Sequence, residues 1–172
     1  MFYFDERLQE YEQRFAWDSA LSYLEDKFVA EPHINILNSL IGFSWYYLTE
    51  GPLISKKFCN DPNTAALGTW KKYIDIGLTK YSSNPYFNFI AGYTLSFNGF
   101  YISNLYESKA SILMRNCFNG TSDMLLKQLS DNFLRNEKGK KYIPLKNGKV
   151  ICSRLFSGNS LLEKYFNEMY DS

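Results

Sequence analysis

From Trp17 to Pro32 the chain reads WDSALSYLEDKFVAEP, with Trp17, Ala20, Leu21, Leu24 and Phe28 as its apolar positions. That spacing gathers them on one face of a 3.6-residue helix. From Trp70 to Pro85 the chain reads WKKYIDIGLTKYSSNP, and Trp70, Tyr73, Ile74, Gly77 and Tyr81 occupy the same places. Proline lacks the amide donor and restricts the residue before it, so it ends a helix. Each frame predicts an amphipathic helix followed by a proline-marked turn. The segments after the two prolines, INILNSLIGFSWYYLTEG and NFIAGYTLSFNGFYISN, again have helical period and carry rings on more than one face. A helix that is apolar nearly all round is buried between others. The frame therefore predicts an outer helix folded back on an inner one, twice.

Elsewhere the pattern is less regular. Leu8, Tyr11 and Phe15 share a face almost opposite that of Leu21, Leu24 and Phe28, which predicts a break near Ala16–Asp18. GPLISKKFCNDPNTAALG, residues 51–68, has glycine near both ends and two prolines, and reads as the main loop. Residues 102–118 read as one helix ending at Asn119–Gly120. Thr121 or Ser122 then caps a further helix that faces inward through Leu125, Leu129, Phe133 and Leu134. YIPLKNGKVIC, with Asn147–Gly148 at its centre, predicts a small β-hairpin near 141–152, because Asn-Gly suits a type I′ turn. A last helix starts at an Asn159 or Ser160 cap and faces inward through Leu162, Tyr165, Phe166 and Met169.

The Trp-to-Pro frame resembles the tetratricopeptide repeat, in which helical hairpins carry an A-x3-F…P signature. Trp17, Ala20, Leu24, Phe28 and Pro32 look like the second helix of such a repeat. Ile41, Gly42 and Trp45 look like the first helix of the next. The departures are a repeat longer than the family's ~34 residues, Gly77 in place of a large residue, and no third copy. The expected fold is mainly α: irregular tetratricopeptide-like antiparallel hairpins, about six to eight helices by periodicity, in one domain spanning 1–172.

Composition supports a folded core, since 14 Tyr, 14 Phe and 3 Trp supply 18% aromatic residues. No apolar run reaches the roughly 18–20 residues of a membrane span, and the charged N-terminus lacks the apolar stretch of a signal peptide. Cys59, Cys117 and Cys152 are odd in number and far apart, so they predict neither a disulfide frame nor a metal knuckle. The expected compartment is the cytoplasm. His33 is the single histidine and follows Pro32 at a helix start, where a turn role is expected. Adjacent acids such as Glu25 and Asp26 diverge on a helix rather than sharing a proton. We therefore expect no catalytic set, no metal, no cofactor and no enzymatic activity.

Net charge is +1 but unevenly spread: residues 1–62 hold ten acids and five bases, the remainder eight acids and fourteen bases. Stacked helical hairpins present surfaces to protein partners, and carboxylates there steer a basic partner. The expected contacts are Asp5, Glu6, Glu10, Glu12, Asp18, Glu25, Asp26 and Glu31. In overall character the chain is similar to the immunity proteins of bacterial contact-dependent growth inhibition. That resemblance implies a cytoplasmic protein that binds a cognate toxin domain, of basic character and in many cases a nuclease, and blocks its active site. Two alternatives stand beside it. One is a tetratricopeptide-like adaptor gripping an extended peptide. The other is a nucleic-acid binder using Arg135, Lys138, Lys140, Lys141, Lys146, Lys149 and Arg154 with Tyr142 as a stacking ring, which the acidic first third opposes.

Overall fold

The computed structural model describes residues 1–54, 63–99, 102–141, 143 and 160–170, and among these residues there are helices and no strand. The helices are α1 (Glu6–Gln13), α2 (Trp17–Ala30), α3 (Ile34–Ile54), α4 (Asn63–Lys80), α5 (Pro85–Asn98), α6 (Asn104–Glu107), α7 (Ala110–Gly120), α8 (Met124–Glu137) and α9 (Leu161–Tyr170). The hairpin expected near 141–152 falls almost wholly outside the described residues.

Helix α2 forms where the first frame places it and buries Trp17, Ala20, Leu21, Leu24 and Phe28. Helix α4 buries Trp70, Tyr73 and Ile74 from the second frame. The inner helices are surrounded: Ile36 to Tyr46 of α3 and Phe87 to Leu95 of α5 are buried without interruption. Asn84 and Pro85 start α5 as their chemistry requires. The Asn84 carboxamide oxygen accepts from the Tyr86 and Phe87 amides at 3.0 and 3.1 Å, and proline takes a first-turn place that needs no donor.

Packing joins these helices in an order that consecutive pairing does not give. Helices α2, α4 and α5 all lie against α3, α7 packs on α5, and α8 on α7. The first frame thus forms the expected hairpin with α3. In the second, α4 and α5 meet through Gly77 and through Trp70, while the close backbone neighbours of α5 are α3 and α7. A β-carbon at Gly77 would lie 2.0 Å from the Phe87 ring, so glycine is what admits that ring. Phe28 of α2 meets Tyr73 of α4 edge-on at 5.4 Å, which ties the two outer helices together. Helix α9 closes the core by setting Phe166 among Phe2, Phe89 and Tyr93.

Several boundaries differ from the sequence expectation, each for a local reason. The loop drawn at 51–68 is shorter, since α3 runs on through Gly51 and Pro52 to Ile54 and α4 begins at Asn63. Proline in a last turn removes one hydrogen bond but leaves helical dihedrals accessible. The helix drawn at 102–118 is two, α6 and α7, where the Ser108 hydroxyl donates to the Leu105 carbonyl at 2.8 Å and competes with the backbone ladder. The cap of α8 is Asp123 rather than Thr121 or Ser122, accepting from the Leu125 and Leu126 amides at 2.9 and 3.1 Å. At the α1–α2 break, Phe15 points outward instead of inward and is 50% exposed.

Candidate functional site

Helix α1 returns along α2, and the two enclose an open groove of about 700 Å³ lined by Arg7, Tyr11, Asp18, Tyr23, Asp26 and Lys27, with small residues between. One wall follows from spacing alone, because Asp18, Ser22 and Asp26 recur every fourth residue along α2. The other needs tertiary contact. Asp5 caps α1 by accepting from the Leu8 amide at 2.8 Å. The same carboxylate accepts the Tyr3 hydroxyl at 2.5 Å and the Tyr23 hydroxyl from α2. Burial alone would raise the Asp5 pKa. The hydrogen bonds from Tyr23, Tyr3 and the Leu8 amide, with Lys27 nearby, outweigh it and hold the carboxyl below its ordinary range. Burial and the Asp5 hydrogen bond push the Tyr23 phenol well up, so it stays a protonated donor.

Cations complete this wall. The Arg7 guanidinium lies 4.9 Å from the Tyr23 ring and donates from Nε to the Tyr11 hydroxyl at 3.1 Å. The Lys27 ammonium lies 5.5 Å from the Tyr3 ring and 5.8 Å from that of Tyr23. Cation–ring contacts of this kind are worth roughly 0.5–1 kcal/mol where exposed. The groove is therefore balanced in charge, with the carboxylates Asp18 and Asp26 on α2 and the ring-seated cations Arg7 on α1 and Lys27 on α2.

The eight acids marked from the sequence separate into two groups. Asp5 is spent on the cap and two phenols, Glu12 is buried, and Glu25 is ion-paired with Lys72 at 2.9 Å. Glu6, Glu10, Asp18, Asp26 and Glu31 are exposed. Arg7, Tyr11, Tyr23 and Lys27 were not marked beforehand. The only sequence signal for them is the i, i+4 spacing of each pair, which many surface helices share.

The end of α1 has an uncommon backbone. The Phe15 amide donates to the Glu12 carbonyl at 3.1 Å and the Ala16 amide to Tyr11 at 2.9 Å, which is the Schellman pattern. That pattern needs a left-handed residue, and Phe15 sits at φ 53°. At the end of α8, Gly139 and Lys140 make the same two bonds, to Asn136 and Arg135, with Gly139 at φ 62°. A left-handed L-residue costs roughly 1–2 kcal/mol. Covering half of a ring, about 100 Å2, stabilises by about 2 kcal/mol at most. The ring meets Trp17 at 6.1 Å, so strain and burial at Phe15 nearly cancel.

The other marked residues have plain roles. His33 is exposed and its Nδ1 accepts from the Asn35 amide at 3.2 Å, which makes it a turn acceptor opening α3. Cys117 is buried, which pushes its thiol up to about 12, so it stays protonated and unreactive. Cys59 and Cys152 lie outside the described residues. From the basic set, Arg135 pairs with Asp131 at 2.7 Å, and Lys138, Lys140 and Lys141 are exposed; Tyr142, Lys146, Lys149 and Arg154 lie outside the described residues. Arg135, Lys138 and Lys140 border a 230 Å³ hollow with Phe118. Among the described residues no group of three His, Cys, Asp or Glu side chains could hold a metal ion, and no helix is long and apolar enough to cross a membrane.

No protein-family model, curated protein or solved structure matches the chain.

Proposed function

We propose that this is a binding protein of the immunity kind, built of tetratricopeptide-like hairpins, that neutralises a basic toxin domain docked on the α1–α2 face. The observation that carries this reading is the groove itself, lined by exposed Asp18 and Asp26 together with side chains held in place by Asp5 and the tyrosines. Tyrosine and arginine that are already ordered lose little freedom on binding, so such a surface gives affinity cheaply. The exposed carboxylates Glu6, Glu10, Asp18, Asp26 and Glu31 would steer a cationic partner towards it.

The partner to test is the C-terminal domain encoded by the reading frame immediately upstream. Expressed alone it should arrest growth of a bacterial host, and coexpression of this chain should restore growth. Purified as an inactive variant, it should bind, and Asp18→Lys with Asp26→Lys should slow association by roughly tenfold at low salt. Continued arrest on coexpression, or an association rate unmoved by the double reversal, would remove this reading. Binding of a short peptide from that domain in place of the folded domain would favour the adaptor.

A further inference from the structure

The hollow between α7 and α8 has a basic rim for which the docking of a basic partner gives no reason. Steps of four, three and four residues put Lys127, Asp131, Leu134 and Lys138 on one face of α8. A continued helix would turn Lys140 about 200° away from Lys138. The Schellman bonds from the Gly139 and Lys140 amides to Asn136 and Arg135, both 2.9 Å, turn the chain back instead, with Gly139 left-handed at φ 62°. Lys138 and Lys140 therefore line the same hollow, with Arg135, Asp131 and the half-buried Phe118 and Leu134. The Lys127 ammonium lies 5.2 Å from the Phe118 ring.

The charge here is one-sided. Residues 124–141 hold five bases, Lys127, Arg135, Lys138, Lys140 and Lys141, against Asp131 and Glu137. Asp131 is neutralised by Arg135 Nε at 2.7 Å, and the Glu137 carboxylate accepts the Ser111 hydroxyl. Lys138 and Lys140 are exposed and have no ion pair among the described residues. The packing order runs α2, α3, α5, α7, α8, which sets this hollow at the other end of it from the acids on α1 and α2. A ring beside unpaired cations is the combination that holds single strands, since bases stack on the ring while lysines take the phosphates. From this geometry we propose that the α7–α8 hollow is a subsite for one nucleotide of a single-stranded nucleic acid. Its base lies against Phe118 and its phosphate between Lys138 and Lys140. The ring is thus Phe118, in place of the Tyr142 marked from the sequence. This site is separate from the α1–α2 face, and neither depends on the other.

Anisotropy of a labelled oligothymidylate, titrated with the whole chain over a range of salt, tests the subsite. The parent should bind at low salt. Lys138→Gln with Lys140→Gln removes two phosphate contacts and should lower the slope of log affinity against log salt by about 1.4. Phe118→Leu keeps an apolar side chain but removes the ring; it should weaken binding roughly tenfold and leave the slope unchanged. No binding by the parent at low salt, or a parental slope in the double variant, overturns the proposal. So does a Phe118→Leu chain that binds within about twofold of the parent, which would leave charge without stacking. Polyglutamate that displaces the strand as well as unlabelled oligothymidylate does would also refute it, by assigning the hollow to acidic proteins. The two lysines are exposed, so their variant reports on binding even if Phe118→Leu does not fold.

Discussion

Trp17 and Trp70 open the same frame, and both indoles are buried, yet they are treated differently. The Trp70 Nε1 donates to the Thr94 hydroxyl at 3.3 Å. One frame spacing earlier, the place of Thr94 is held by Ile41, whose side chain has no acceptor, and the buried Trp17 Nε1 has no hydrogen-bond partner among the described residues. Leaving a buried donor unmade costs roughly 1–3 kcal/mol. The second frame is therefore complete, set against α3 and α5 behind Gly77. The first tolerates a deficit at its N-terminal edge, where α1 turns in and Phe15 lies over the indole. Scaffold and surface are built from one pattern, and the deficit lies on the surface copy. Local departures from stability gather at sites kept for other reasons.

The sharpest way to break this comparison is at the shared position Leu24 and Gly77. Leu24→Ala should cost about 3 kcal/mol, because the site is fully buried and a cavity is left. Gly77→Ala should cost about as much for the opposite reason, since the new methyl meets the buried Phe87 ring. Urea midpoints at unchanged slope would measure both. A neutral Gly77→Ala would mean that α4 and α5 are not locked by that ring.

This pair also shows what could be read from sequence. Periodicity found α2, α4, the inward faces of α3 and α5, and buried Leu162 and Phe166 of α9 (the side chain of Met169 lies outside the described residues), because each depends on a spacing that burial enforces. It did not find the cap at Asp123 or the break at Ser108, where a side chain competes with the backbone at hydrogen-bond range. Nor did it turn Phe15 outward, because the left-handed residue ending α1 departs from the helical geometry that periodicity assumes. The acids were legible as residues but not as a surface. Asp5 is committed only because Tyr3 and Tyr23, far apart in sequence, converge on it, and Glu12 is buried by packing that the helix pattern does not reveal.

Trp17→Phe and Trp70→Phe make the indole difference measurable. Both remove ring volume, but only the second removes a made hydrogen bond, so Trp70→Phe should cost about 1 kcal/mol more. Thr94→Val should likewise destabilise by about 1–2 kcal/mol, by leaving the Trp70 donor unmade. Equal losses for the two tryptophans would erase the distinction. The glycine at the end of α8 gives a matching control for the end of α1. Gly139→Ala meets no neighbour among the described residues and changes the backbone strain, so it should cost about 1 kcal/mol.

The smallest effect distinguishes the two frames by pH. Each outer helix belongs to a tyrosine–carboxylate contact: Tyr23 of α2 with Asp5, and Asp75 of α4 with Tyr106. Burial would raise both carboxyls, but at Asp5 the tyrosines and the Leu8 amide, and at Asp75 Lys71 and Tyr106, hold each below its ordinary range. A depressed folded pKa contributes stability above the unfolded value near ~4, and that stability is lost as pH falls through the folded value. Stability should therefore fall as pH drops below about 4, and less steeply in Asp5→Asn and Asp75→Asn. Both groups are partly solvated, so each change should be small. Asp5→Asn should have the larger effect, because Asp5 accepts two phenols and a backbone amide, whereas Asp75 accepts one phenol and an exposed lysine. Denaturation midpoints from pH 5 to pH 2.5 decide it, and identical slopes in parent and variants would show that neither contact is linked to folding.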